Sequence, residues 1–211
     1  MIVEGELRIG GRSVSRETLA ALEVYEGLVR RWNPAINLIS TASLVHIRNR
    51  HTVDSVQLMS LCPDGATRWA DLGAGGGFPG LVIAILARRD HPALHVTLVE
   101  SDARKATFLR QAAAELDLKV TVATNRIESL PPLEADVISA RALAPLPMLM
   151  DHAHRHLRRD GVAIFPKGER YAAELAEARL RWRFSAAVHP SLTDPNAAIL
   201  VIRNIEREAQ S

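Results

Sequence analysis

From about residue 66 to the end of the chain, short apolar runs alternate with amphipathic stretches, and this alternation restricts the fold more than any other feature. The runs are RWADL, LHVTLVE, KVTVAT, ADVISAR, GVAIFP, FSAAVHP and AAILVIRN, with helices expected to begin near Pro79, Asp102, Pro145 and Glu169. Apolar runs of this length, bounded by turn residues, read as strands. Strands separated by helices imply right-handed βαβ units and a parallel sheet covered on both faces. The last two runs are separated only by SLTDPN, a turn signal without room for a helix, so they should pair as a hairpin and give the sheet an antiparallel edge. The expected fold is an α/β, Rossmann-like, seven-stranded and mostly parallel sheet.

Before residue 66 the hydrophobic period is helical. SRETLAALEVYEGLVRRWN carries apolar residues at helical spacing, with Ser15 placed as N-cap and Pro34 just past the expected stop. A second helix is expected over VDSVQLMSL, ending at Pro63-Asp64-Gly65. The chain thus divides into a small N-terminal helical extension, 1–65, and a core, 66–211, within one compact unit. With 211 residues, 47% of them hydrophobic, it can bury one sizeable core but not two full domains. No apolar run approaches membrane-spanning length, and MIVEGELRIGG lacks the basic start and apolar core of a signal peptide. A single cysteine, Cys62, leaves no intramolecular disulfide and no CxxC site. These features point to a soluble, cytoplasmic protein without a membrane partner.

At the carboxyl ends of such a sheet, where strand order switches, ligands bind. DLGAGGGFPG, from Asp71 to Gly80, stands there, with five glycines in ten positions. Glycines let the backbone turn sharply and approach a ligand, and the helix beyond presents free N–H groups. Gly75, Gly77 and Gly80 satisfy the dinucleotide pattern G-x-G-x-x-G, and Glu100 ends the second strand where an acid would bind a ribose. The pattern alone does not choose the ligand; Asp71 does. A carboxylate beside a pyrophosphate would cost on the order of a few kcal/mol in a partly desolvated site. Beside an ammonium and a sulfonium it would attract. S-adenosylmethionine has both cations, no phosphate, and a ribose for Glu100.

DLGAG followed by LVE resembles the cofactor motifs of class I S-adenosylmethionine-dependent methyltransferases, whose seven-stranded sheet ends in an antiparallel hairpin. DLGAGGGFPG, LVESDARKATFL, NRIE, ISARALAPL and FPKG, in that order, with the upstream WNPAINLIS and RHTVDSVQL, resemble more narrowly the small-subunit ribosomal RNA methyltransferase G family, also called glucose-inhibited division protein B. The resemblance spans about Trp32 to Lys167. Ala74, Gly76 and Ile39 depart from its usual serine, alanine and threonine. The resemblance implies methylation of guanine N7 in 16S ribosomal RNA, naked or in a ribosomal particle, by a monomeric enzyme. It implies S-adenosylmethionine as cofactor, S-adenosylhomocysteine as product, and no metal. It assigns Gly73 and Phe78 to the cofactor, Ile127 and Glu128 to its adenosine end, and Arg141 to a place beside cofactor and target base.

The residues themselves allow alternatives. Phe78 is either a cover over the ligand or a staple into the core, and Glu128 could be a surface carboxylate. Arg141, a guanidinium at the end of an apolar strand, requires a partner or a ligand. Lys167 shares that rim and, with Arg141, suits positioning of phosphate or guanine O6 rather than proton abstraction. The formal charge is only +2, so affinity for RNA must come from clusters: Arg48, Arg50 and His51, joined by Lys167, are the candidate RNA contacts, against the plainer reading of solvated helix faces. HAHRHLRR, from His152 to Arg159, is a second basic run. His51, Asp54 and Ser55 share one helical face and read as a polar network tying the extension to the site. His152 and His156 lack further ligands at metal spacing. No general base is expected, since guanine N7 offers an unprotonated lone pair. A small-molecule methyltransferase, a nicotinamide-dinucleotide protein and a non-catalytic RNA-binding module with the same pocket remain as alternatives.

Overall fold

A computed structural model describes residues 7–208; the first six residues, on which part of the reading of MIVEGELRIGG rests, lie outside it. The described residues begin with a hairpin that the helical reading of the extension did not include, β1 (Leu7–Ile9) and β2 (Arg12–Val14). Gly10 and Gly11 turn it, both at positive φ (56° and 79°), as a two-residue hairpin of the primed type requires. The Gly-Gly pair between two short runs was the available signal.

Helix α1 (Arg16–Ile36) starts where expected, the Ser15 hydroxyl accepting the Thr18 N–H at 3.1 Å. It does not stop at Pro34 but runs through it. Proline forfeits one backbone bond near a helix end that has free carbonyls anyway. Asn37 then closes the helix in the left-handed region (φ 49°), its N–H on the Asn33 carbonyl, and the buried Asn33 side chain accepts the Ile39 N–H at 2.8 Å. After a short α2 (Thr41–Leu44), the expected second helix is an irregular one: a π-helical turn Arg48–Val53, α3 (Asp54–Val56) and a 3-10 turn Gln57–Leu61, end to end.

Seven strands form the main sheet: β3 (Arg68–Leu72), β4 (His95–Val99), β5 (Val120–Ala123), β6 (Ala135–Ser139), β7 (Leu157–Lys167), β8 (Trp182–Pro190) and β9 (Ala198–Arg207). Their order is β5-β4-β3-β6-β7-β9-β8; β3, β4, β5, β6 and β7 are parallel, and β9 joins β7 and β8 antiparallel. Order therefore switches between β3 and β6. Helices α4 (Gly80–Asp90) and α5 (Ala103–Glu115) cover one face together with α1; α6 (Leu146–His156) and α7 (Tyr171–Arg179) cover the other. Between β5 and β6 there is only a 3-10 turn, Ile127–Ser129.

The extension shares its core with the sheet, since Leu22, Tyr25, Leu28 and Val29 of α1 lie in one apolar cluster with Leu81, Ile83 and Phe108. The run HAHRHLRR is not one basic face. Helix α6 ends at His156 and β7 begins at Leu157, and Arg158 is spent on the buried Asp136 at 2.6 Å. Strand β6 stops at Ser139, so Arg141 lies in the loop beyond it, beside Ala142 at φ 52°.

Candidate active site

The carboxyl ends of β3, β4, β6 and β7 open into a cavity of about 1330 Å³. Gly73, Gly75, Phe78, Glu100, Ile127, Glu128, Arg141, Lys167, Arg50 and His51 all line it. Residues chosen from sequence positions up to 117 apart thus meet in one hollow. Asp71 and Arg48 do not line it.

Asp71 corrects the reading that singled it out. It is 1% exposed, on β3, and its two oxygens face inward. Oδ2 accepts the Gly80 N–H at 2.9 Å and Oδ1 accepts the Ser139 hydroxyl at 2.7 Å; Ser139 Oγ in turn accepts the Trp69 indole N–H at 2.8 Å. Burial pushes its pKa up to about 7, against the two donated hydrogen bonds and the Arg141 charge. The carboxylate therefore braces the glycine loop from behind, tying the start of α4 to β3 and β6, and does not face a ligand's cations. The glycine at 80 is part of this brace: a Cβ there would stand 2.3 Å from Leu98 and 2.7 Å from Asp71 Oδ2.

The rest of the loop is held from the extension. Tyr25 donates its hydroxyl to the Gly76 carbonyl at 2.5 Å, and its ring packs on Phe78 (centroids 4.9 Å apart). Tyr25 was not singled out from sequence, because an aromatic residue on the buried stripe of a helix looks like ordinary core. Phe78 is buried and packs against His51 as well (5.0 Å), with the Arg141 guanidinium 5.4 Å above its ring. The staple reading describes it better than the cover. Gly73 and Gly75 are at positive φ (67° and 55°), which brings the loop's backbone to the cavity wall.

Glu100 uses one lone pair on each oxygen, accepting the Gly75 N–H and the Asp102 N–H, both at 2.8 Å. This fixes the carboxylate and leaves further lone pairs for hydroxyl groups. Glu128 is exposed and stands 3.7 Å from His152; the buried His156 ring nitrogen is 3.1 Å from the Ile127 carbonyl. Two of the three α6 histidines, His152 and His156, thus face the Ile127–Ser129 turn, while His154 packs on Trp182 (centroids 5.2 Å apart); among the described residues no group of three or more His, Cys, Asp or Glu could hold a metal ion.

On the opposite wall the cations divide sharply. Arg141 donates to the His51 Nδ1 (2.6 Å) and to the Arg50 carbonyl (3.1 Å), and pairs with Asp54 (3.4 Å). His51 is neutral: burial first, then Arg141 and Arg50, push its pKa down to about 3. Because a guanidinium only donates, the His51 hydrogen sits on Nε2, which is buried without a partner. Lys167 is not a free cation either. It pairs with Glu174 at 2.6 Å and donates to the Ala144 carbonyl, while Glu174 also accepts the Leu146 N–H. Arg48 is spent on Glu23 and on the 6%-exposed Glu26, which Thr52 also bonds. Of the four basic residues proposed to meet RNA, Arg50 alone has an exposed side chain without a hydrogen bond or ion pair among the described residues.

Comparison with known proteins bears on this site. A family model for rRNA small subunit methyltransferase G (GidB) matches residues 18–202. A ribosomal RNA small subunit methyltransferase G of Cereibacter sphaeroides is 53% identical over 191 residues, covering 90% of this chain and 92% of its own, and one of a Ruegeria species is 48% identical over 194 residues, covering 92% and 94%. Among solved structures, a TehB-like SAM-dependent methyltransferase of Corynebacterium glutamicum aligns with a TM-score of 0.58 at 15% identity over 87% of this chain and 99% of its own. The 16S rRNA N2 G1207 methyltransferase of T. thermophilus, solved with AdoMet and guanosine, aligns with a TM-score of 0.55 at 13% identity over 77% of this chain and 42% of its own. These two share the class I methyltransferase fold. By sequence along nearly its whole length, the chain belongs to the rRNA small subunit methyltransferase G (GidB) family.

Proposed function

We propose that the protein transfers a methyl group from S-adenosylmethionine to N7 of a guanine in 16S ribosomal RNA. The observation that carries this reading, beside the family, is that one cavity runs from Glu100 and the glycine loop to Arg141 and Lys167. At about 1330 Å³ it exceeds the roughly 300–1,000 Å³ of a pocket for one small ligand, leaving room for cofactor and nucleotide together.

The residues suit the cofactor. Bound there, S-adenosylmethionine supplies an electrophilic methyl group on a sulfonium. Glu100 accepts hydroxyl hydrogens of the ribose, Ile127 packs against the adenine, Glu128 lies at the same end, and the backbone of Gly73 and Gly75 borders the methionine part. Phe78 acts through packing, holding His51 and Arg141 at the wall. Asp71 acts on the cofactor only through the loop it braces.

Guanine N7 needs no base, and the site is consistent with that. His51 is too weakly basic to accept a proton at neutral pH, and its free lone pair is already committed to Arg141. Arg141 and Lys167 act as positioning groups beside the target base. Holding lone pair, methyl carbon and sulfur in line can supply about 7–11 kcal/mol in favourable cases. Arg50 meets RNA phosphate. His51 and Lys167 reach RNA through what they position, and Arg48 contributes to the fold of the extension. The partner is small-subunit ribosomal RNA, free or within a ribosomal particle, met by a monomer in the cytoplasm without a metal. Among the described residues no helix is long and apolar enough to cross a membrane.

The test is to supply the purified protein with radiolabelled S-adenosylmethionine and RNA from cells lacking the modification, then map the labelled nucleoside. Label at N7 of one guanine is expected; label on an exocyclic amine, or only on a small molecule, refutes the proposal. The cofactor should also raise the melting temperature while NAD should not, since ligand at one hundred times its Kd adds about 2.7 kcal/mol.

A further inference from the structure

Among the described residues, the polar partners of Arg141 all come from residues 50–54, in the irregular helical stretch of the extension. Of these only Asp54 carries charge. Its carboxylate Oδ2 lies 3.4 Å from Arg141 Nη1, both side chains being 16% exposed. The other oxygen, Oδ1, accepts from Gln57 Nε2 at 2.9 Å and from the Thr193 hydroxyl at 3.0 Å. Thr193 belongs to the β8–β9 turn, which is held a second time by Gln57, whose Oε1 accepts the Leu192 N–H at 3.0 Å. Three segments distant in sequence therefore meet at one carboxylate: the extension, the loop after β6 and the turn of the C-terminal hairpin. Asp54, Arg141, Thr193 and Asp194 all line the cavity.

We infer that Asp54 is a positioning residue for methyl transfer, orienting Arg141 through one oxygen and seating the β8–β9 turn as the wall opposite the cofactor loop through the other. The inference rests on the reading of the cavity given above. An arginine has several rotatable bonds, and its neighbours His51 and the Arg50 carbonyl are neutral, so removing Asp54 takes away the one charge that fixes the fork. It also leaves Arg141 without its ion-pair partner on the wall. In N7 methylation the positive charge passes from the sulfonium to the purine, and an unpaired guanidinium beside the purine opposes that passage. A guanidinium paired with Asp54 opposes it less.

The two oxygens can be tested apart. In Asp54→Asn the amide oxygen can still accept from Thr193 and Gln57, while the amide nitrogen faces Arg141 donor to donor. Thr193→Val removes the other link and leaves Arg141 paired. Methyl transfer to the same RNA at saturating cofactor is measured for these variants, for Asp54→Glu, for Arg141→Ala and for the double variant Asp54→Asn/Arg141→Ala. Misplacing a positioning group by about 1 Å can cost about 10²-fold in rate, and the expectation for Asp54→Asn is a fall in kcat of roughly that size. The double variant should be no slower than Arg141→Ala alone. Thr193→Val should raise KM for RNA with little change in kcat. Asp54→Glu, which keeps the charge at some cost in packing, should retain more activity than the asparagine variant. Multiplicative losses in the double variant, wild-type turnover in Asp54→Asn, or more activity in the asparagine than in the glutamate variant each overturn the inference. The wild-type rate and product test the proposed function itself. A parallel cycle on S-adenosylhomocysteine affinity needs no transfer, and there too additive effects of the two substitutions overturn the role assigned to Asp54.

Discussion

The buried carboxylate behind the glycine loop makes a prediction that separates bracing from ligand contact. Asp71→Asn is nearly isosteric. Its single amide oxygen can accept the Gly80 N–H, but its amide nitrogen, a donor, then faces Ser139, whose hydroxyl hydrogen loses the acceptor that Oδ1 supplied. A buried donor left without a partner costs about 1–3 kcal/mol, and the wild type carries the opposing cost of a carboxylate in an apolar site. The sharp expectation is therefore in the pH dependence rather than in the offset. The folded-state pKa of about 7 lies above the ordinary aspartate value of 3.8. Between these values the native state holds the proton and the unfolded chain has lost it, so this group's contribution is fully present below about pH 4. It is lost as pH rises through the folded value, at up to about 1.4 kcal/mol per pH unit and about 4 kcal/mol in all. Above the folded pKa nothing further changes. Urea denaturation of wild type and Asp71→Asn at half-unit steps between pH 4.5 and 8, taken as a difference so that other groups cancel, reads this slope directly. The wild type should lose ground to the variant steadily toward neutrality and then run parallel to it. A difference constant across the range would refute the titration. Unchanged stability with a large loss of cofactor affinity in Asp71→Ala would refute the brace and restore direct contact.

Further consequences follow from the same geometry. Gly80→Ala should cost about 1–3 kcal/mol through overpacking, because its Cβ would stand 2.3 Å from Leu98 and 2.7 Å from Asp71; a melting temperature equal to wild type would count against the packing described. Single-turnover methyl transfer at saturating cofactor and RNA should show no rise that depends on His51 between about pH 6 and 9, since His51, with a pKa of about 3, stays neutral throughout. A sigmoidal rise that disappears in His51→Ala would show a base at work. Arg50→Ala should weaken RNA binding and reduce the slope of log affinity against log salt by about 1, whereas Arg48→Ala should leave that slope alone and lower stability instead. Equal effects of the two on the slope would return Arg48 to the RNA.

Sequence alone determined the elements whose local signals agree. Short apolar runs bounded by turn residues placed the strands of the main sheet to within a few residues, except for the longer ends of β7, β8 and β9, and Ser15 and Asp102 stand as the caps of α1 and α5. The absence of a helical stretch between the last two runs foretold the antiparallel edge, because a hairpin needs no crossover. The glycine loop and Glu100 could be placed in a site because ligands gather at the carboxyl ends of such strands whatever the side chains are. Other features stayed hidden because they depend on which atoms end up facing each other. Whether a carboxylate beside a glycine loop looks toward the ligand or back into the core is decided by strand register: Ser139 on β6 comes opposite Asp71 on β3, and α4 packs close enough to present the Gly80 N–H. The strength of a basic cluster depends on neighbours supplied by other elements, so Arg48 is neutralised by α1 and Lys167 by α7, while Arg50 is left to solvent. Asp54 was legible in the polar face it shares with His51, though not its pairing with Arg141; Tyr25 and Thr193 carry no motif, and packing alone brings them to the glycine loop and to Asp54. Hydrophobic period is a property of a segment and survives in the one-dimensional text, whereas the partner of a polar atom is a property of the packed chain and exists only once the helices of the extension have closed against the sheet.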